Sequence, residues 1–395
     1  MPLSQKPLYL LGICSCQTTI MKFILLFGPV CIILLLTAFA DRPGNEHKTL
    51  EIGAPAPDFS LTGVDGKTYH LATFKNAEVL VVVFTCNHCP TAQAYEDRII
   101  KLTSDYANKN VAVVAIMPND PASLRLDELD FSDLGDSYAE MKIRAKEKQF
   151  NFPYLYDGET ETASKAYGPV ATPHIFIFDK ARRLRYQGRV DEMESPFKTP
   201  ENTDARNAIE ALLNNREVPV KTTKVFGCSV KWSEKRELVE RARAVWAKEP
   251  VHIEMIDGDS IANMMKNPSG KLRLINIWAT RSDPGLYEFP DFITINRMYR
   301  DRDFEFISIS TDLPGDRDKV LKFLQMQQAS NANYLFSGKD KNKLIKAVNT
   351  SWQGVLPYTV LVEPGGKLVY AKEGRIDPAE LKRTIVNNHL LGKYP

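Results

Sequence analysis

Long apolar runs separated by amphipathic stretches begin near residue 80. Leu80–Phe84 (LVVVF) and Val111–Met117 (VAVVAIM) are continuously apolar, which is typical of strands buried on both faces. Between them, apolar residues recur at spacings of three and four along one stripe of a helix, at Ala92, Tyr95, Ile99, Leu102 and Tyr106. The order strand, helix, strand predicts a parallel pair of strands joined by a right-handed crossover.

A hairpin and a helix are predicted later in the first half. The step Ala171-Thr172-Pro173 leads into His174–Phe178 (HIFIF), a polar break covers 179–183, and a second strand follows at Leu184–Gln187. A helix is expected near 203–214.

The second half of the chain repeats this plan. Its predicted elements are the strand Leu272–Trp278, a helix over 286–299, the strand Phe304–Ile309, a helix near 316–327, the strands Tyr358–Val362 and Leu368–Tyr370 after Leu356-Pro357, and a last helix from about Pro378. The pattern therefore indicates an α/β protein with two tandem copies of one fold, each a central mixed sheet flanked by helices.

The first forty residues predict export. Phe23–Phe39 is uncharged, follows Lys22 and runs into small residues, as in a signal peptide cleaved after Ala40. Met21 is an alternative start. An uncleaved membrane anchor is the other interpretation, because the apolar run approaches the ~20 residues that span a bilayer. Both place the protein in the periplasm or elsewhere outside the cytoplasm, with only this segment at a membrane.

Length and composition indicate compact domains. Of 395 residues, 44% are hydrophobic and 25% charged, which excludes a disordered chain. We expect a first domain over 41–232, a helical linker over 233–250 and a second domain over 251–395. Removal of Lys6 and Lys22 with the leader leaves 49 basic and 49 acidic side chains. This balance argues against nucleic acid as a partner.

Three of the six cysteines, Cys14, Cys16 and Cys31, fall in the leader. Cys86, Cys89 and Cys228 remain, so at least one is free, redox-active or paired outside the chain. Cys228 is either a third redox thiol, folded back on the other two, or a buried small apolar residue.

The predicted chemistry lies at Cys86-Asn87-His88-Cys89, where a buried strand turns into a helix. Unpaired N–H groups at the helix start favour a Cys86 thiolate, which makes Cys86 the nucleophile. Cys89, one turn later, is placed to resolve a mixed disulfide. A partly charged His88 would stabilise thiolate and make the pair more oxidising. A structural disulfide, half of a zinc site, and a solvated His88 are the alternatives.

These residues resemble a known family. Phe84–Asp97 (FTCNHCPTAQAYED), Gly53–Leu61 (GAPAPDFSL), Thr172-Pro173 and Val225–Trp232 (VFGCSVKW) are similar to bacterial redoxins of the AhpC/TSA group, over about 51–232. The resemblance implies a thioredoxin fold with a cis bond at Thr172-Pro173 against the sulfurs and an exposed backbone there that pairs with a substrate peptide. An ordinary trans proline opening an edge strand is the alternative.

The sequence departs from the family in several places. Val79 and Val83 stand where peroxiredoxins carry proline and threonine, Thr85 replaces the thioredoxin tryptophan, and LVVVF lacks the buried acid that thioredoxins use as a proton shuttle. The second half resembles the TlpA type, but Ser282 and Gly285 replace both cysteines, so this copy is expected to bind, space or dimerise rather than exchange disulfides.

The predicted function is an exported thiol–disulfide oxidoreductase that acts on protein thiols or disulfides through Cys86 and Cys89. Thr172 and Pro173 would bind the substrate, and an unidentified redox partner would recycle the pair. We expect no metal and no other cofactor, because a second CxxC, a finger-like histidine pair and nucleotide-binding loops are missing. The alternatives are a copper chaperone of Sco type, with His174 as a ligand, and a thiol peroxidase.

Overall fold

Two mixed β-sheets organise the part of the chain that the computed structural model describes, residues 47–338 and 340–394. These residues lie in a single unit that begins at His47. The predicted leader, with Met21, the cleavage site after Ala40 and the cysteines Cys14, Cys16 and Cys31, lies outside the described residues. Among the described residues, no helix combines the length and apolarity needed to cross a bilayer.

The first half supplies eight strands and four helices. The strands are β1 (Ser60–Gly63), β2 (Thr68–His70), β3 (Val79–Phe84), β4 (Val111–Met117), β5 (Tyr154–Tyr156), β6 (Ala171–Thr172), β7 (His174–Phe178) and β8 (Leu184–Gly188). The helices are α1 (Pro90–Tyr106), α2 (Tyr138–Lys148), α3 (Thr162–Tyr167) and α4 (Asp204–Leu213).

Seven of these strands form the first sheet, in the order β2-β1-β5-β4-β3-β7-β8. β3, β4 and β5 run parallel, and β7 is antiparallel to both β3 and β8. Every residue of β3 is buried, because helices and loops cover both faces of the sheet centre. The predicted parallel pair, its crossover helix and the later hairpin are therefore confirmed.

The second half follows a similar order. Its elements are α5 (Arg236–Trp246), β10 (Glu254–Ile256), α6 (Gly258–Met265), β11 (Leu272–Trp278), α7 (Asp283–Tyr299), β12 (Phe304–Ser310), α8 (Arg317–Met326), β13 (Ala332–Phe336), α9 (Lys341–Val348), β14 (Tyr358–Val362), β15 (Leu368–Glu373) and α10 (Pro378–Asn387). The second sheet has the order β10-β13-β12-β11-β14-β15. The predicted α/β class, with mixed sheets and flanking helices, is confirmed.

Residues 118–170 form an insertion that the hydrophobic pattern did not predict in detail. It contains short 3₁₀ turns at Pro121–Ser123 and Leu126–Leu129, followed by α2, β5 and α3. The first part of the insertion packs against α7 of the second half: Leu129 is buried in a core that includes Phe292 and Tyr299, and the Tyr299 hydroxyl donates to the Ser132 carbonyl at 2.8 Å. One insertion therefore joins the two halves of the chain.

A short pair of strands lies outside both sheets. β9 (Cys228–Ser229) is antiparallel to β6, with Thr172 opposite Cys228 and Ala171 opposite Ser229. This pairing brings the end of the first half back to the start of the β7 hairpin, and it positions the third cysteine of the described chain.

Candidate active site

The two sulfurs of the CNHC motif lie in the loop between β3 and α1. β3 ends at Phe84, and α1 begins at Pro90 with Cys89 as its N-cap residue. The structure therefore differs from our expectation, since Cys89, and not Cys86, occupies the helix start. Both residues are enclosed: Cys86 is 2% and Cys89 0% exposed.

Thr172 contacts both sulfurs. Its hydroxyl lies 3.0 Å from Cys86 Sγ, and its carbonyl oxygen lies 3.4 Å from Cys89 Sγ. The Thr172–Pro173 peptide bond is cis, as the resemblance implied, and so is Leu356–Pro357 in the second half. The structure thus brings together Cys86, Cys89 and the Thr172-Pro173 step.

Cys228 joins the same cluster. Its backbone N–H donates to Cys89 Sγ at 3.2 Å, and its carbonyl oxygen accepts from the Thr172 hydroxyl at 3.5 Å. The expectation that the Thr172 backbone is exposed for a substrate peptide is wrong for this arrangement, because Thr172 is 0% exposed and paired with β9. The chain's own strand occupies that edge.

His88 is buried and not a solvated loop residue. Its Nδ1–H donates to Asp136 Oδ2 at 2.6 Å, while Nε2 has no hydrogen-bond partner among the described residues. Asp136 also accepts the backbone N–H groups of Asn87 and His88 at 2.9 and 3.2 Å, and the Asn119 amide at 2.7 Å. This carboxylate fixes the loop that carries the motif.

Asp136 was missed by sequence reasoning. The apolar strand β3 lacks the buried acid that thioredoxins carry there, but the insertion supplies a buried carboxylate from 48 residues beyond His88. Only the general rule that a buried histidine needs a partner would have pointed to an acid, and that rule does not identify which of the many acidic residues provides it.

The charges of this pair reinforce each other. Burial disfavours a charged imidazole, but the adjacent Asp136 carboxylate outweighs burial and raises the pKa of His88. Burial likewise disfavours the charged carboxylate, yet the His88 charge and four hydrogen bonds lower the pKa of Asp136. The site therefore holds an imidazolium and a carboxylate side by side next to the sulfurs.

The two sulfurs experience opposite environments. Burial raises the pKa of the Cys86 thiol well above its usual range, and the nearby Cys89 and Asp136 add to the rise. Burial and the Thr172 carbonyl favour a protonated Cys89, but hydrogen bonds from Cys228 and Cys86, the His88 charge and the Ala92 N–H outweigh them and lower the pKa of Cys89. In this closed arrangement the thiolate is stabilised on Cys89, in contrast to the sequence expectation.

His174 is not placed as a metal ligand. Its Nδ1 accepts the Val170 N–H at 3.3 Å, its Nε2 lies 2.8 Å from Gln187 Oε1, and burial lowers the pKa of His174 to about 4. Cys86, His88 and Asp136 do bring three ligand atoms within 4.8 Å of one another. However, the His88 and Asp136 atoms that approach most closely already bond to each other, so this cluster is better described as a hydrogen-bonded network.

The corresponding loop of the second half carries no sulfur, and its helix begins after the first motif position, Ser282, and not after the second. Ser282 is the N-cap of α7, and its hydroxyl donates to the Leu356 carbonyl at 3.4 Å. A Cβ added at Gly285 would lie 3.5 Å from the Trp278 Cβ and 3.6 Å from the Pro357 Cβ, which is ordinary contact. The chain has no cysteine after Cys228, so this loop has no thiol to exchange.

Known proteins are similar to part of this chain. The family model described as Redoxin matches residues 51–209, a range that includes Cys86, Cys89 and Thr172 but not Cys228. The thiol-disulfide oxidoreductase ResA of Bacillus thuringiensis subsp. konkukian (strain 97-27) is 28% identical over 162 residues, which is 40% of this chain and 82% of the relative.

Two solved structures are also similar. An uncharacterized conserved protein from Geobacillus kaustophilus is 37% identical, with coverage of 47% of this chain and 94% of the other and a TM-score of 0.42. A hypothetical protein from Sinorhizobium meliloti 1021 is 32% identical, with coverage of 47% and 97% and a TM-score of 0.42.

Proposed function

Because residues 51–209 form a redoxin domain of the thioredoxin family, we propose that the protein is a thiol–disulfide oxidoreductase that exchanges disulfides with protein substrates through Cys86 and Cys89. The observation that carries this proposal is the convergence of both sulfurs on Thr172, with Cys89 at the start of α1 and its thiolate stabilised. The name of the ResA relative agrees with this chemistry.

The unequal sulfurs suggest an order of events. In the disulfide form, a substrate thiolate attacks Cys86 Sγ, the Cys86–Cys89 bond breaks, and Cys89 leaves as the thiolate. Cys89 is the better leaving group because its pKa is the lower of the two. A second substrate thiolate then attacks the substrate sulfur of the mixed disulfide, which forms the substrate disulfide and releases Cys86. Two electrons pass from substrate to protein, and the reverse sequence reduces a substrate disulfide.

His88 and Asp136 act on the leaving sulfur. The His88 charge lowers the pKa of Cys89, and Asp136 keeps that charge in place. A stabilised thiolate makes the disulfide easier to reduce. The pair is therefore more oxidising than one with an apolar residue at position 88.

We propose that residues 251–395 are a second, cysteine-less thioredoxin-like copy, connected through 233–250, with a role in binding or assembly. The similar strand order of the two sheets supports this assignment. We also propose that the leader exports the protein to an oxidising compartment, where a CxxC disulfide persists. The unidentified redox partner would act there.

The alternative functions receive less support. Both ring nitrogens of His174 are engaged by Val170 and Gln187, which disfavours a copper site that uses it. Val79 and Val83 lie buried inside β3, at the positions where a peroxidase of this family carries proline and threonine.

A trapping experiment tests the proposed function. The reduced protein is mixed with an unfolded substrate that carries one disulfide, and exchange is quenched by alkylation and followed by mass spectrometry. We expect turnover by the wild type, none by Cys86→Ser, and accumulation of a mixed disulfide through Cys86 in Cys89→Ser. Ser282→Ala, the matched position in the second half, should behave as wild type. Absence of exchange in the wild type would refute the function, and equal trapping by both cysteine variants would refute the order of attack.

A further inference from the structure

The strand β9 lies where a bound peptide would be expected. Short peptides often bind by adding a strand to an exposed backbone edge. Here the edge at Ala171 and Thr172 is already paired with Ser229 and Cys228 of the same chain, in antiparallel register. The pairing covers Cys86 and Cys89, so no other strand can reach this edge until β9 leaves.

Gly227 allows the close approach of this strand. Its φ is +130°, and a Cβ at this position would lie 2.0 Å from the Thr172 carbonyl oxygen. Only glycine fits against that oxygen, and any side chain would push β9 away from β6.

Contacts on both sides hold the segment 226–231 in place. The Phe226 ring packs 6.1 Å from that of Tyr95. On the other side, the Lys231 backbone N–H donates to Asn119 Oδ1 at 2.9 Å, and the Lys231 ammonium lies 2.7 Å from Glu128. Asn119 also donates to Asp136, so the segment is connected to the partner of His88.

The residue of this strand that faces the sulfurs is itself a cysteine. The Cys228 N–H donates to Cys89 Sγ at 3.2 Å, and Cys228 is partly exposed while Cys86 and Cys89 are enclosed. We propose that segment 226–230 is a built-in substrate mimic, and that Cys228 exchanges with the Cys86–Cys89 disulfide to give a Cys89–Cys228 disulfide that closes the site. This inference rests on the proposed function.

The proposed exchange needs no reactant from outside the protein. Cys228 Sγ attacks Cys89 Sγ, the Cys86–Cys89 bond breaks and the Cys89–Cys228 bond forms. Because burial keeps the pKa of the Cys86 thiol high, Cys86 takes up the proton of Cys228 as it leaves, so no oxidant or reductant is consumed. Because the step is an isomerisation, a substrate thiol competes directly with Cys228 for the oxidised pair.

Peptide mapping of the full chain tests the inference. The protein is equilibrated in glutathione buffers of varied ratio, alkylated at low pH and digested with trypsin. Cleavage after Lys75, Arg98, Lys224 and Lys231 places Cys86 and Cys89 on peptide 76–98 and Cys228 on peptide 225–231. We expect a linked pair of these peptides with the alkyl group on Cys86. Full alkylation of Cys228 at every ratio, with an intact Cys86–Cys89 disulfide, would overturn the inference.

Shifting the thiol provides the matched control. In the double variant Cys228→Ser/Ser229→Cys the sulfur points to the opposite face of the strand, because side chains alternate. The linked peptides should disappear in this variant although a third cysteine is still present. Linkage at position 229 equal to that of the wild type would show an unspecific thiol reaction and refute the mimic.

A second measurement tests the covering role of β9 without Cys228 chemistry. Gly227→Ala should accelerate alkylation of the reduced Cys86–Cys89 pair roughly tenfold, the factor expected from loss of about one hydrogen bond of strand pairing. Gly66→Ala also changes a positive-φ glycine, but no atom lies within 4 Å of its added Cβ, and it should leave the rate unchanged. Equal rates for the wild type and Gly227→Ala would refute the covering role. Loss of substrate exchange in the trapping experiment would instead refute the proposed function itself.

Discussion

Asp136 holds the imidazole of His88 at a separation of 2.6 Å between Oδ2 and Nδ1, with both side chains at most 1% exposed. The charge next to the sulfurs is therefore set by a residue of the insertion and not by the CNHC motif alone. Removal of the imidazole should change mainly the reduction potential, whereas removal of the carboxylate should change mainly the stability of the fold.

His88→Ala should lower the reduction potential of the Cys86–Cys89 pair and raise the pKa of Cys89, because the charge that stabilises the Cys89 thiolate is lost. Each pKa unit corresponds to about 30 mV for a two-electron couple. The potential is measured in glutathione buffers and the pKa by the pH dependence of alkylation. His389→Ala, whose side chain is 72% exposed, is the control. An unchanged reduction potential would show that the His88 charge does not affect the disulfide.

Asp136→Asn should destabilise the protein most near pH 6, by about 3–5 kcal/mol, because it leaves a buried charge without its partner. The raised pKa of His88 gives a stabilisation that is complete below the ordinary histidine pKa and is lost as pH rises through the raised value. The lowered pKa of Asp136 gives a stabilisation that is lost as pH falls through the lowered value.

The free energy of unfolding of both proteins, measured in urea at pH 6 and pH 9, checks this prediction. The difference between wild type and variant should shrink at pH 9. Asp318→Asn, at a 99% exposed carboxylate, should show almost no difference at either pH. If the stability lost in Asp136→Asn were larger at pH 9 than at pH 6, the charges assigned to His88 and Asp136 would be wrong.

Glu288 predicts a pH dependence of the same sign in the second half. This side chain is 0% exposed and accepts the Ile376 N–H at 2.9 Å, and burial raises its pKa to about 7. Between its ordinary pKa and this value the folded state binds the extra proton, so stability falls as pH rises. The wild type should lose roughly 3 kcal/mol relative to Glu288→Gln between pH 4.5 and pH 8.

Urea unfolding of Glu288→Gln over this pH range is the measurement. Glu254→Gln, an exposed position in β10, is the matched control in the same sheet. If the difference between wild type and Glu288→Gln is constant with pH, Glu288 does not titrate in this range.

Packing of Leu129 between the two halves is expected to contribute to the stability of the protein. Its side chain belongs to the insertion of the first half but is buried among residues of the second core. Leu129→Ala should lower the free energy of unfolding by about 2–4 kcal/mol, since it leaves a cavity between the halves. Leu313→Ala, at a 63% exposed leucine, should change it by less than about 0.5 kcal/mol. Thermal unfolding of both variants checks this prediction. If Leu129→Ala is as stable as the wild type, Leu129 does not contribute to the packing between the halves.

Much of the fold could be predicted because its central elements carry an unbroken apolar pattern. Val111–Met117 and Leu272–Trp278 were predicted with the bounds that the structure has. β1, β2 and β10 were not predicted, since they have only three or four residues and lie at or next to a sheet edge with exposed side chains. β9 has only two residues, and nothing in its sequence indicates its partner.

Only those residues of the site that are adjacent in the sequence could be predicted. Cys86, His88 and Cys89 are neighbours along the chain, and their chemistry can be inferred from residue type. The position of Asp136, and the pairing of Thr172 with Cys228, depend on contacts between distant segments. Local spacing also placed the helix start at Cys86, whereas Pro90 fixes the first helical residue and makes Cys89 the N-cap.

The insertion between β4 and α2 carries Leu129, Ser132 and Asp136 within a few residues of one another. Leu129 and Ser132 contact α7 of the second half, while Asp136 holds the imidazole beside the sulfurs. A shift of α7 would therefore be transmitted along a short piece of backbone to the charge that tunes the disulfide. If the protein exchanges disulfides as proposed, a ligand that favours one position of α7 would act as an effector of the redox potential.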